Sequence, residues 1–259
     1  MPRKTVPALA QQKGVTPLVV LTAYDYSQAR LVDGIVDVIL VGDSLGMVVA
    51  GLENTLAVTL DQMIYHCSLV ARGAKSSLLV GDMPFLSYQV SPEQALESAG
   101  RFVAQAGMQS VKLEGGIDFV PQIKKIVAAG IPVMGHLGMQ PQWINLYGGY
   151  GKQAKTEASA QKLLEEALAL EKAGIWALVL ENIPHETAHK VSQALSIPTI
   201  GIGAGPHCDG QVQVWHDLFG LDPEFAPRHA VRFRELGKEM KAGAEAYAQA
   251  VKTGQLLSK

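Results

Sequence analysis

The run Val38-Ile-Leu-Val-Gly-Asp43 is four apolar residues, a glycine and an acid. A short apolar run of this kind reads as a strand buried on both faces, the sort found in parallel sheets. The pattern returns as Leu78-Leu-Val-Gly-Asp82, Val111-Lys-Leu-Glu114 and Ala177-Leu-Val-Leu-Glu181. One acid at one strand end is an ordinary surface residue. Four of them, at successive strand–helix repeats, gather negative charge at one end of a barrel, where β/α barrels carry their chemistry. Carboxylates crowded there repel one another, so a cation or shared protons must hold them. The pattern predicts a metal enzyme.

Outward from these runs the alternation continues. Leu18-Val-Val-Leu-Thr-Ala23 is the first strand, and Ser77 to Val80 opens the third. Ile131-Pro-Val-Met-Gly-His136 is the fifth, Thr199-Ile-Gly-Ile-Gly203 the seventh, and Gln211-Val-Gln-Val-Trp215 a weaker eighth. Patterns of period near 3.6 lie between them. Ser91-Pro-Glu-Gln94 predicts a helix start with a capping-box partner and Pro in the first turn. Behind it Leu96, Ala99, Phe102, Val103 and Ala106 share one apolar face. Thr156 opens a second such helix, with Leu163, Leu164, Ala167 and Leu170 inward and Lys162, Glu165 and Glu166 outward. Strands alternating with helices of this length are parallel βαβ units, and eight of them close a barrel. The expected fold is α/β, a (β/α)8 TIM barrel, as one domain over residues 1–259. No Gly-x-Gly-x-x-Gly follows the first strand, which weighs against dinucleotide binding. Thr5 to Lys13 predicts a short helix outside the barrel. Phe225 through Val251, rich in Ala, Lys and Glu, predicts C-terminal helix packed on the outside or on a neighbouring subunit.

A chain of 259 residues has the size of one such barrel, typically about 250. With 48% apolar and 18% charged residues it has ample material for a core. A net charge of −2 gives no electrostatic reason to expect nucleic acid or an anionic membrane as partner. The start, Met-Pro-Arg-Lys-Thr-Val-Pro-Ala8, lacks the apolar core of a signal peptide, and no run approaches a membrane span. Cys67 and Cys208 stand alone and read as buried thiols in a reducing cytosol, so the expected location is cytoplasmic.

The candidate metal ligands, Asp43, Asp82 and Glu114, are all oxygen donors. Hard carboxylates select Mg²⁺ or Mn²⁺ over Zn²⁺, and Mg²⁺ usually keeps several waters. At least one of the three is therefore expected to act through water. Lys112 precedes Glu114 by two residues, so period two turns both side chains toward the barrel interior. A Lys there needs an anion, and the carboxylates or a substrate carboxylate would supply it. Glu181 ends the sixth strand, apart from the metal group, and is the candidate general base. His136 could hydrogen-bond a substrate oxygen or orient Glu181. Ser44 offers a hydroxyl and a backbone N–H to a bound anion. Gly201-Ile-Gly-Ala-Gly205 follows the seventh strand, where many barrels bind phosphate, although its glycines are better read as permitting close backbone approach. His185, His189, His207, His216 and His229 have no metal-site spacing.

Several segments resemble the ketopantoate hydroxymethyltransferase family. They are Gly42-Asp-Ser-Leu-Gly-Met-Val-Val-Ala-Gly51, Thr55-Leu-Ala-Val-Thr-Leu-Asp-Gln-Met-Ile-Tyr-His66, Gly81-Asp-Met-Pro-Phe85 and Val111-Lys-Leu-Glu-Gly115. Pro132-Val-Met-Gly-His136 and Ile200-Gly-Ile-Gly-Ala-Gly205 with Asp209-Gly-Gln-Val212 complete the set. The similarity runs from about Leu21 to Phe233 with every block in order. The family is a barrel of the phosphoenolpyruvate mutase and isocitrate lyase superfamily that makes ketopantoate, a precursor of pantothenate and coenzyme A.

The resemblance implies Asp43, Asp82 and Glu114 around one Mg²⁺ per subunit, Asp43, Ser44, Asp82 and Lys112 at the oxo-acid, and Glu181 as base. It also implies 3-methyl-2-oxobutanoate as substrate, 5,10-methylenetetrahydrofolate as one-carbon donor and a homo-oligomer, a decamer. Mg²⁺ would stabilise the enolate formed when Glu181 removes the C3 proton. The other readings are a Mg²⁺-dependent carbon–carbon lyase of a 2-oxo or 2-hydroxy acid in the same superfamily, and a non-catalytic oxo-acid-binding barrel. The chain departs from the family at Met139 and Gln140, at Gly151-Lys-Gln-Ala-Lys155, at Asn182, where Cys is frequent, and at its last residues. None is in the implied catalytic set.

Overall fold

Eight parallel strands close into a barrel in sequence order. They are β1 Leu18–Thr22, β2 Val38–Val41, β3 Leu78–Asp82, β4 Ser110–Lys112, β5 Val133–Gly138, β6 Ala177–Glu181, β7 Thr199–Ile202 and β8 Gly210–Gln213. This computed structural model describes residues 2–228 and 230–255, so Met1, His229 and the last four residues lie outside the described residues. The chain divides into two compact units, Met1–Val212 and Gln213–Lys259.

Inside the first unit one set of side chains forms the lower core: Leu18 and Val20, Val38 and Leu40, Leu78 and Val80, Met134, Ala177 and Val179, Ile200 and Val212. Alternation of period two selects these residues, because every second side chain of a strand faces the same way. Leu9 joins this cluster and Val6 packs against it. The helix Val6–Ala10, capped by Thr5 and started by Pro7, thus covers the N-terminal end of the barrel. It is shorter than the Thr5 to Lys13 expected from sequence, and its role is to close the core. Burying a Leu in this way is worth roughly 1.5–3 kcal/mol.

Strand limits differ from the sequence reading by one to three residues. β4 stops at Lys112, leaving Glu114 just beyond it, while β5 runs on past His136 to Gly138. The helix Pro92–Ala104 has Ser91 as N-cap, accepting from the Gln94 N–H. The expected capping box is only half formed, because Gln94 Oε1 accepts from the Val90 N–H and its Nε2 donates to the Leu86 carbonyl. Its buried face is Ala95, Ser98, Ala99 and Phe102, and Val103 is exposed. The helix Glu157–Ala173 has the full capping box at Thr156 and buries Leu163, Ala167 and Leu170.

In the second unit the helix Leu236–Lys252 starts eleven residues later than the expected Phe225. Pro227, which lacks a backbone N–H, interrupts that stretch. None of the helix's residues is buried, and Met240, Tyr247 and Val251 are exposed. Among the described residues no helix is long and apolar enough to cross a membrane.

Candidate active site

The alternation that builds the apolar core also builds the site. Above Val80 the next inward position is Asp82; above Met134 it is His136; above Val179 it is Glu181. Lys112 is paired in register with Asp82 on one side and Met134 on the other, and Glu114 follows two residues on. Asp43 does not belong to this series. It lies past the end of β2, out of step with Val38 and Leu40, in a turn that Gly42 permits. A Cβ at Gly42 would come within 2.7 Å of the Ser44 hydroxyl.

The sequence-derived candidates converge at this end of the barrel. Lys112 Nζ lies 2.6 Å from Asp82 Oδ1 and 3.9 Å from Glu114 Oε1. The Asp43 backbone N–H donates to Asp82 Oδ2 at 3.3 Å. His136 stands between two acids, with Nδ1 3.5 Å from Glu114 Oε1 and Nε2 3.3 Å from Glu181 Oε2. These are ion-pair distances without hydrogen-bond alignment, and both ring nitrogens and Glu114 Oε1 have no hydrogen-bond partner among the described residues. Asp43, Asp82, Lys112, Glu114 and His136 are all buried, whereas the Glu181 side chain is 15% exposed. Ser44 Oγ lies 2.9 Å from the Tyr24 hydroxyl.

The charges do not balance. Burial, then the charges of Asp82 and Glu114, push Asp43 well above the usual carboxylate range. Burial also raises Asp82, against the opposing pull of Lys112. Burial works against Glu114 too, but His136, Lys112 and the Gln142 N–H outweigh it and hold it below its ordinary value. Lys112, though buried, is held above the ordinary lysine range by Asp82, Glu114 and Asp43. Burial and Lys112 depress His136, yet Glu114 and Glu181 bring it up to about 9.

An excess of buried carboxylate over Lys112, oxygen donors only, and an orphaned Glu114 Oε1 fit a hard divalent cation. Among the described residues no three Asp, Glu, His or Cys side chains are grouped tightly enough to hold an ion by themselves. A Mg²⁺ here would take one or two of the carboxylates directly and the rest of its shell from water and substrate oxygens.

Around this centre lie groups that sequence reasoning missed. Gln142, in the short turn Pro141–Trp143 after β5, bonds to Asp43 and Glu114. Tyr88 is fully buried and donates to Gln142 at 2.7 Å. Nothing periodic announces either residue; the available signal was a polar side chain in a loop at the C-terminal face. Asn182, at φ +45°, donates to the Tyr150 carbonyl and accepts from the Gln153 N–H. Two departures from the family pattern, Asn182 and the loop from Gly151, therefore meet beside Glu181.

The glycine run after β7 serves packing. A Cβ at Gly205, whose φ is +86°, would strike the His185 ring at 2.4 Å. His189 and His207 lie ring to ring on the exposed surface, away from the buried site residues. Cys67 and Cys208 are buried free thiols.

Comparison with known proteins shows the family. The sequence profile described as ketopantoate hydroxymethyltransferase matches residues 3–256. A 3-methyl-2-oxobutanoate hydroxymethyltransferase of Acetivibrio thermocellus is 48% identical over 96% of this chain and 89% of its own. One from an Anaeromyxobacter species is 54% identical, covering 96% and 84%. Among solved structures, a phosphonopyruvate hydrolase has a TM-score of 0.66 at 12% identity, covering 97% of this chain and 88% of that one. The same enzyme in complex with oxalate and Mg²⁺ scores 0.62 at 12% identity, with 97% and 88% covered. A 2,3-dimethylmalate lyase of the phosphoenolpyruvate mutase and isocitrate lyase superfamily scores 0.61 at 16% identity, with 96% and 88% covered. At these identities the structures share the fold.

Proposed function

The chain belongs to the ketopantoate hydroxymethyltransferase family, and from that membership we infer that it transfers a hydroxymethyl group to 3-methyl-2-oxobutanoate, forming ketopantoate. The proposed one-carbon donor is 5,10-methylenetetrahydrofolate and the proposed metal is Mg²⁺. The observation that carries the site assignment is the buried, under-neutralised group Asp43, Asp82 and Glu114, reached through His136 from Glu181. A phosphonopyruvate hydrolase of the same fold binds oxalate and Mg²⁺, a flat dianion and a hard cation, which supports a barrel mouth of this type as the holder of such a pair.

Asp43, Asp82 and Glu114 are the residues that would hold the ion. Bound there, Mg²⁺ supplies Lewis-acid polarisation of the substrate's oxo group. Lys112, in a site of low dielectric, sets a positive charge beside the oxo-acid's oxygens. Ser44 lends a hydroxyl to the same anion. Glu181, the most exposed of the acids, takes the proton as the C3–H bond breaks, and the bonding electrons move toward C2. His136, at 3.3 Å, holds Glu181 in place for that transfer. The C3 carbon then attacks the one-carbon unit, water supplies the hydroxyl oxygen and tetrahydrofolate leaves.

Solvent-deuterium exchange at C3, followed by NMR with Mg²⁺ present, separates proton removal from transfer. Exchange without folate, and ketopantoate formed only with 5,10-methylenetetrahydrofolate, is the expected result. Cleavage of a carbon–carbon bond without folate would assign the site to a lyase of the superfamily instead. We further propose a closed homo-oligomer, a decamer, which the exposed apolar side chains Met240, Tyr247 and Val251 support. Light scattering should return a mass near ten chains, and a monomer at micromolar concentration contradicts it.

A further inference from the structure

Gln142 is 4% exposed and uses its full hydrogen-bonding capacity. Its Nε2 donates to Asp43 Oδ2 and to the Met83 carbonyl, each at 2.9 Å. Its Oε1 accepts from the Tyr88 hydroxyl at 2.7 Å, the shorter of that hydroxyl's two acceptor contacts (the Glu114 carbonyl lies at 3.0 Å), and from Gln89 Nε2 at 3.2 Å. The same hydroxyl accepts from the Glu114 N–H at 3.2 Å. The Gln142 backbone N–H donates to Glu114 Oε2 at 3.1 Å. The sense of the amide is therefore determined. Turned over, it would set Oε1 against a carboxylate and a carbonyl, and its NH₂ against the Gln89 donor.

This one residue grips two acids from different loops, and those acids repel each other: the charge of Glu114 is among the causes that raise Asp43. A Lys or Arg in its place would neutralise them and remove the demand for a cation. An amide has no net charge. It fixes the direction of each carboxylate and leaves their negative charge available.

We propose that Gln142 is a positioning residue for the cation, holding Asp43 and Glu114 in their ligating orientation, with Tyr88 fixing the sense of its amide. The proposal rests on the carboxylate metal site described above. Partners that orient metal ligands in this way typically contribute 10–100-fold to metal affinity.

The test is calorimetric titration of Mg²⁺ in the presence of 3-methyl-2-oxobutanoate, paired with thermal unfolding with and without Mg²⁺. The proteins are the parent, Gln142→Met, Tyr88→Phe and Asp43→Ala. Gln142→Met keeps the volume and the backbone bond to Glu114 but removes the amide, and should weaken Mg²⁺ by about 10–100-fold. Its rise in unfolding temperature on adding Mg²⁺ should shrink with it. Tyr88→Phe should weaken Mg²⁺ less than tenfold, since Gln89 still holds Oε1. A scaffold role alone would lower the metal-free unfolding temperature and leave the affinity unchanged. Affinity within twofold of the parent in both variants, while Asp43→Ala no longer binds, overturns the proposal and keeps the metal site. Parental Mg²⁺ binding in Asp43→Ala overturns the metal site, and the proposal with it. If Gln142→Met fails to fold, Gln142→Asn, whose shorter side chain withdraws the amide from Asp43, decides instead: weakened binding supports the proposal and parental binding overturns it.

Discussion

At the N-terminal end of the strands, Asp33 accepts hydrogen bonds from the backbone N–H groups of Lys75, Ser76 and Ser77, at 2.7–3.0 Å. Asp209 there takes Lys13 Nζ at 2.6 Å, the Gly14 N–H at 3.1 Å, and the N–H and hydroxyl of Thr199 at 2.9 Å. At the C-terminal end, Asp82 and Glu114 share Lys112, Asp43 accepts from Gln142, and Glu114 Oε1 and both His136 nitrogens have no hydrogen-bond partner among the described residues. Burial opposes ionisation of Asp33 and Asp209, but their partners outweigh it and both sit below the usual range; Asp43 is driven far above it. Carboxylates are thus saturated where they hold the barrel together and, at Asp43 and Asp82, left in want at the candidate site. Strain of this kind is tolerated at functional sites when the rest of the fold over-determines it.

The largest effect expected from this contrast is at Glu181. Replacing it with Gln keeps the shape but removes the proposed base, and C3 proton exchange should fall by about 10²–10⁴. Mg²⁺ and oxo-acid should bind nearly as before, because neither is held by this side chain. Exchange at the parental rate would show that Glu181 is not the base.

Substituting Asp by Asn at the two ends should produce opposite signs. Asp209→Asn strips Lys13 of its partner in a half-buried site and should cost about 1–3 kcal/mol. Asp43→Asn relieves repulsion among buried carboxylates and should stabilise the metal-free protein by about 1 kcal/mol, within the usual stability–activity trade. Urea unfolding measures both. Equal signs would remove the contrast between the ends.

The smallest effect is in the pH dependence. The folded pKa values of Asp33 and Asp209 lie below their unfolded values. Their contribution is therefore full above the unfolded carboxylate pKa of about 3.9 and is lost as pH falls through the lower folded values. Stability measured downward from pH 4 should decline in the parent and decline less in Asp209→Asn. Identical acid limbs would show that Asp209 carries no such linkage.

How far the sequence reached varies residue by residue. Asp82, His136 and Glu181 were legible because each extends its strand's alternation by one step beyond an apolar neighbour, and Lys112 and Glu114 keep the same step. Strand ends were less legible: β5 continues to Gly138, because pairing with β6 through Glu181 outlasts the apolar run. Val103, which spacing places on the apolar face, is exposed, since an apolar residue at helical spacing can lie at the edge of a face, where only the neighbouring elements decide its exposure. The N-terminal helix was expected outside the barrel, but its Leu9 found the open end of the core.

Periodicity and residue type, which are properties of neighbours along the chain, by themselves determined the parallel barrel, its charged end and the oxygen-only character of the candidate metal ligands. They did not determine how the charges share their partners. Asp43 stands out of step with its strand and enters the site through the turn at Gly42. Gln142 reaches it from 99 residues away, and Tyr88 turns the amide that makes the contact. Those relations were decided by tertiary structure alone, because a hydrogen bond depends on distance and angle in space, and closure of the barrel is what brings the loops after β2, β3 and β5 within its reach.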